Sequence, residues 1–167
     1  VCWTLDTDTG FISGWDHKGS ALIADPLSDC FVRAPIDNDI CSSEVDNPSP
    51  DAWLAAWQKA GLFDLEHRCR GVEVRGNIVI SQHEYTGATG VLIRSQWTHR
   101  FDADGAVRID VDVSREVPDL PLPRVGARLL LTQKPEIVAW VGRGPHENYP
   151  ARKTSADLGI WSCSRQA

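Results

Sequence analysis

An all-β fold of mainly antiparallel strands, arranged as a sandwich with one short packed helix, is what this sequence predicts, and three observations carry it. Val107, Ile109, Val111 and Val113 alternate with Arg108, Asp110, Asp112 and Ser114, the period-two pattern of a half-buried strand. In the preceding segment Val91, Ile93, Trp97 and Phe101 share one face, with Arg94, Gln96, Thr98 and Arg100 opposite. The link Asp102-Ala103-Asp104-Gly105 has hairpin chemistry, with glycine free to take a positive φ. Only one helical pattern interrupts the strands, which argues against a βαβ plan.

Further strands are expected over 2–6, 10–17, 20–25, 29–33, 69–75, 77–85, 124–132 and 136–142, many of them separated by Gly, Asp and Thr turns. The helix is expected to open at Ser49, which can cap it, with Pro50 in the first helical position and Asp51 beside the positive end. Trp53, Ala56, Trp57 and Ala60 would form its apolar stripe, anchored by Trp53 and Trp57, and Gly61 would end it. Residues 33–48 show no regular period and read as a long polar loop, a feature that tends to be functional or to sit at an interface. Pro118, Pro121 and Pro123 stiffen a second irregular connection.

The 167 residues fit one domain, 1–167. A hydrophobic content of 42% and a charged content of 24% are those of a globular protein rather than a disordered one. The net charge of −6, with signs interspersed, leaves no basic stripe to displace counterions, so nucleic acid is not an expected partner. No apolar run nears the ~20 residues that span a membrane, and Val1 to Asp6 read as a strand rather than a leader. The chain has no methionine, and Val1 is expected to lie at a boundary within something larger. Cys2, Cys30, Cys41, Cys69 and Cys163 are odd in number and widely spaced, which suits neither zinc nor a disulfide framework. Free, mostly buried thiols in a reducing, cytoplasmic setting are expected. Of seven tryptophans, five or six should be core.

Several chemical motifs dissolve on inspection. Asp6-Thr7-Asp8-Thr9-Gly10 opens like a calcium loop but lacks the later ligands, and a hairpin turn accounts for it. His83 and Glu84 are adjacent on a strand and point to opposite faces, so they form no dyad. His99 shares a face with Trp97 and Phe101 and reads as a hydrogen-bonded core histidine. No nucleophile elbow, phosphate loop or dinucleotide fingerprint is present. A glycosidase needs two opposed carboxylates, and nothing pairs Asp37, Asp39, Glu44 and Glu147.

Two polar loops remain. Arg33-Ala34-Pro35-Ile36-Asp37-Asn38-Asp39 places a cation, a rigid proline and three oxygen-rich side chains at the end of a strand, where Arg33 can pair with Asp37 or Asp39. In Gly142-Arg143-Gly144-Pro145-His146-Glu147-Asn148-Tyr149-Pro150 the glycines permit tight backbone, and Arg143, His146, Glu147, Asn148 and Tyr149 offer polar groups, with Arg152 following. Each loop is either a network of internal ion pairs and backbone hydrogen bonds or a rim facing sugar or another domain.

These two loops, with Trp53-x-x-x-Trp57-x-x-Ala60-Gly61 between them and Gly10-Phe11-Ile12-Ser13 before them, resemble the small-chain domain of family 2 β-galactosidases, the lactase type, from about Trp3 to Arg152. The resemblance implies a galactose-mutarotase-like sandwich, here a truncated one, that supports a catalytic barrel and walls its sugar site. It carries over no catalytic residue, because the family's glutamates lie in the barrel, and the magnesium and sodium sites lie outside this stretch as well. Trp161 does not match the tryptophan the family sends to the sugar site, and Ala151 stands where the motif has Asp. The implied partners are the other domains or the large subunit of the parent enzyme, galactosides, and further copies of the chain at uncovered strand edges. The rival readings are a free-standing mutarotase using His83, His99 and Glu147, and a carbohydrate-binding module with Trp15, Trp140 or Trp161 as its platform.

Overall fold

The structure, a computed structural model, describes residues 1–42, 46–146 and 153–164. The chain divides into two compact units, Val1–Thr132 and Gln133–Ala167.

The first unit is a two-layer sandwich. One sheet contains β1 (Cys2–Leu5), β2 (Ile12–His17), β3 (Ser20–Ala21), β4 (Ile23–Cys30) and β9 (Gly126–Leu131), in the order β1-β2-β4-β9 with β3 beside β2. The other is a meander of β5 (Glu66–Arg75), β6 (Ile78–Gly87), β7 (Gly90–Phe101) and β8 (Val107–Arg115). All their pairings are antiparallel. The expected turns are in place. Asp6 accepts from the Asp8 N–H at 2.8 Å between β1 and β2, and Asp102 and Ala106 close the β7–β8 hairpin, with Gly105 at φ 90°.

Alternation places the layers. Ile93, Ser95, Trp97 and His99 on β7 are all buried and face the first sheet. Phe11 lies flat on His83 with 4.2 Å between ring centroids, and Phe31 meets Tyr85 edge-on at 5.0 Å. A bulge where Thr86 pairs Val91 and Tyr85 pairs Ile93 removes Val91 from that face, because one extra residue flips the alternation.

Several expectations are corrected. The strands expected at 20–25 and 29–33 are one short strand, β3, and one long one, β4, which runs through Pro26; β4 pairs with β2 only at Ile12 and Leu27 and has register breaks against β9, where a missing N–H is tolerated. The irregular stretch after Arg33 contains a single helical turn, α1 (Asp37–Ile40), so the described residues hold two helices and a 3₁₀ turn at Leu62–Asp64 rather than one helix. The longer helix, α2 (Trp53–Ala60), begins later than expected. Ser49 does not cap it; the Ser49 carbonyl instead accepts from Ala52 in a turn that precedes it. Its buried face is Leu54, Trp57 and Ala60, while Trp53 is 49% exposed and anchors nothing. The later start rotates the stripe by one residue.

Gly61 ends α2 as expected, at φ 74°, and its N–H returns to the Trp57 and Gln58 carbonyls. A Cβ there would stand 2.6 Å from the Ala88 nitrogen, whose N–H donates to the Ala60 carbonyl at 2.8 Å. The helix end is thereby fastened to the β6–β7 turn. Around it lies a core of Phe31, Ile40, Leu54, Trp57, Leu62, Tyr85, Leu92, Ile93 and Leu120. The Trp57 Nε1–H donates to the Pro121 carbonyl at 2.7 Å, so the proline-rich connection closes over the helix.

The second unit is a hairpin of β10 (Ile137–Gly144) and β11 (Asp157–Ser164), a strand the sequence reading did not include. Trp140 pairs across from Trp161, and Val141 from Ile160. Gly144 lets the Trp161 ring lie against the backbone, where a Cβ would meet the ring at 2.7 Å.

Burial also corrects two composition-based expectations. Trp57 and Trp97 are buried, but Trp3, Trp15, Trp140 and Trp161 are half-buried. The five cysteines are free, yet Cys2, Cys41 and Cys163 are exposed. For Trp140, Trp161 and Cys163 the reason is that nearly every described residue of β10 and β11 is exposed.

Candidate functional site

The first polar loop is built around Arg33. Its Nη1 and Nη2 donate to the two Asp39 oxygens at 2.6 and 3.2 Å, its Nε donates to the Pro123 carbonyl at 3.1 Å, and Nη1 also reaches the Ala34 carbonyl. The guanidinium carbon lies 6.0 Å from the Trp57 ring centroid. Of the two acids open to it in the sequence, Arg33 therefore takes Asp39. The Asp39 carboxylate also accepts from the Ile36 N–H at 2.9 Å, which starts α1. Burial alone would raise the Asp39 pKa, but the Arg33 hydrogen bonds, the Ile36 N–H and the Arg33 charge outweigh it and hold it below the ordinary carboxylate value. Arg33 and Asp39 thus hold the chain between β4 and α2, whereas Asp37 and Asn38 are exposed beside them.

In the second loop, Arg143 Nη1 donates to the Lys153 and Ala156 carbonyls at 3.2 and 2.6 Å, and the Trp140 Nε1–H donates to the Arg143 carbonyl. His146 Nε2 meets the Ser155 carbonyl at 2.9 Å. Both side chains tie the two ends of the β10–β11 connection together. Glu147, Asn148, Tyr149 and Arg152 lie outside the described residues, as does Glu44, so the carboxylate candidates that can be placed are Asp37 and Asp39.

Between the sheets runs a polar network that sequence reasoning missed. His83 Nδ1 is 2.9 Å from His67 Nε2, and His83 Nε2 is 2.8 Å from Ser81 Oγ. Nearby, Tyr85 Oη and Ser95 Oγ both donate to Asp29 Oδ2, at 2.8 and 2.5 Å. Ser81, His83 and His67 have the connectivity of a nucleophile, its base and an orienting group. Access decides against that chemistry, because Ser81 and His83 are 0% and 1% exposed beneath Phe11. Burial, and then the neighbouring His67 and His99, push the His83 pKa down to about 4. Partial desolvation lowers His67 as well, although the residue is exposed on the edge strand, and the Asp29 charge partly opposes it; Tyr85 is raised by burial and by Asp29. His99 is fully buried as expected, but its ring nitrogens lack a hydrogen-bond partner of good geometry; burial lowers its pKa against a weaker opposing effect of the Val79 backbone. The missing signal was strand length. Starting β5 at residue 69 left His67 outside the alternation that brings it opposite Tyr85.

Among the described residues, no group of three or more His, Cys, Asp or Glu is placed to hold a metal ion, and no helix is long and apolar enough to cross a membrane.

The β-galactosidase small-chain family model matches residues 1–167. The chain belongs to that family. It is 45% identical over 167 residues to a β-galactosidase of Aeromonas hydrophila subsp. hydrophila, covering 95% of this chain and 16% of that one. It is 42% identical over 164 residues to a β-galactosidase of Klebsiella pneumoniae, and 40% identical over 166 residues to one of Yersinia pestis, in each case over 96% of this chain and 16% of the relative. The small-chain segment thus spans about a sixth of the length of these relatives.

Proposed function

We propose that this chain is a supporting domain of a β-galactosidase, a family 2 glycoside hydrolase that removes terminal non-reducing β-D-galactose from lactose-type substrates. In this reading the catalytic carboxylates, and the magnesium and sodium sites, belong to other parts of a larger protein. The chain buttresses the catalytic barrel and walls one side of the sugar pocket with its exposed loop groups, Asp37 and Asn38 among them. The observation that carries the reading is the family match across the whole chain set against its coverage of 16% of each relative named β-galactosidase. The internal use of Arg33 and Asp39 agrees with it, since those side chains maintain the loop rather than reach for substrate.

The partners in this reading are the remaining domains of the larger enzyme. Leu129, Leu130 and Leu131 on β9 are 41%, 50% and 39% exposed, and Val141, Ile160 and Leu158 on the hairpin are 83%, 82% and 76% exposed. Apolar strand surface of this kind is a contact surface or an aggregation hazard. A cytoplasmic location goes with the five free thiols.

Complementation tests the proposal. Co-expression with a relative's β-galactosidase lacking its matching segment should restore galactoside hydrolysis, and the purified chain should show none on a chromogenic galactoside. Turnover that copurifies with the isolated chain would refute the supporting role. A partner that stays inactive although the two proteins copurify would refute it equally. If the uncovered strands instead pair copies of the chain, sedimentation of the isolated chain will show a concentration-dependent dimer.

A further inference from the structure

The face of the β5–β8 sheet turned away from the first sheet carries a cleft of about 620 Å³, a size suited to a small ligand. Its side chains stand in two cross-strand rows. One row is Glu84, Arg94 and Ser114, aligned by the pairings of β6, β7 and β8. This row is internally satisfied: Arg94 bridges Glu84 and Glu116, and Ser114 donates to Glu116. The neighbouring row is Gln82, Gln96 and Asp112. Beside it stands Arg70, the extra residue of the bulge between Cys69 and Gly71 on the edge strand. Among the described residues, the side chains of Gln82, Gln96, Asp112 and Arg70 make no hydrogen bond or ion pair, although all four line the cleft.

The composition of that unspent row selects its ligand. An anion would meet Asp112 and Glu84, and a cation would meet Arg70 and Arg94. A mainly apolar group would meet a single apolar residue, Val113, among the residues that line the cleft. What fits is a neutral molecule with many hydroxyls. Two adjacent amides each offer a donor pair and an acceptor, a carboxylate accepts from two hydroxyls at once, and a guanidinium donates in a fork. Strand spacing sets these groups roughly 4.8 Å apart, so neighbouring side chains reach different hydroxyls of one sugar ring. We propose that this cleft is a saccharide-binding site, carried by Gln82, Gln96, Asp112 and Arg70, none of which belongs to either polar loop. That the sugar is a galactoside rests on the proposed function; that it is a saccharide rests on the cleft.

The test is a titration of the whole 167-residue chain with lactose, galactose and maltose, followed by the side-chain amide resonances of Gln82 and Gln96. Saturable shifts of both, with Kd on the order of 1–10 mM, are expected for an open and wet site without a stacking platform. Gln82→Ala with Gln96→Ala should weaken binding at least about tenfold, and Asp112→Asn should weaken it without altering the melting temperature. Maltose binding as strong as lactose binding would uphold the cleft and count against a galactoside function. Absence of shifts at about 50 mM of every sugar, or shifts confined to Trp140 and Trp161, would overturn the site whatever the complementation experiment shows.

Discussion

Arg33 shows how much can hang on one side chain. It joins β4, the Pro123 connection, α1 and the face of Trp57, and its partner Asp39 is 6% exposed. Removing the cation leaves a buried carboxylate with one backbone donor. Arg33→Ala is expected to cost about 2–4 kcal/mol in denaturant unfolding, and Arg33→Lys to recover less than half of that, because an ammonium cannot supply the fork and the stack together. Cys41 offers a change in the other direction. It sits at φ 53° after α1, in the left-handed region where a side chain is strained. Cys41→Gly should leave the fold intact and stabilise it by up to about 1 kcal/mol, readable as a higher unfolding midpoint. The cluster from Arg33 to Asp39 was visible in the sequence as an anomaly, a costly set of charges at a strand end. Its resolution was not visible, because the groups that spend Arg33 come from Pro123 and Trp57, far along the chain.

Among the elements, the exit of α2 is the most constrained point. Gly61→Ala would combine a positive φ with a contact of 2.6 Å to the Ala88 nitrogen. The expected loss is about 2 kcal/mol or more, seen in thermal or chemical melts, with amide exchange rising at Ala88. Trp57→Phe should destabilise by about 1–3 kcal/mol, since it both opens space in the core and strands the Pro121 carbonyl. Element type was legible wherever one face is covered. The β7–β8 hairpin appears where the alternation and Gly105 put it, and Gly61 stops the helix where it was expected to. Boundaries were less legible. The Ser49-Pro50-Asp51 signal suits a helix start, yet the chain spends it on a turn and enters the helix at Trp53, in the register that buries Leu54 and Trp57.

The whole sandwich should respond to acid through its interior histidines. His83 is 1% exposed, and its pKa falls to about 4 from an ordinary 6.5. A depressed histidine means that the unfolded chain binds more protons between those values. Stability is therefore complete above about pH 6.5 and is lost as pH falls towards 4, by at most about 3 kcal/mol from this group. His67 and His99 are shifted in the same direction and steepen the loss. Denaturant midpoints measured between pH 7 and 4 should fall accordingly, and His83→Phe should flatten the curve. An unchanged midpoint in the native protein would contradict the buried His83–Ser81 pair.

Period-two alternation, hairpin glycines and a single strong helical stripe were enough to determine an antiparallel sandwich, and three spaced motifs were enough to point to the family, because both are written in local order along the chain. Which charges are spent internally, which tryptophans are covered, and that His67 meets the buried His83 depended on residues distant in sequence coming together. Burial and pairing are properties of the packed pair of sheets. A strand's own alternation says which side chains share a face, but only the opposite layer determines whether that face is covered and what each polar group finds there.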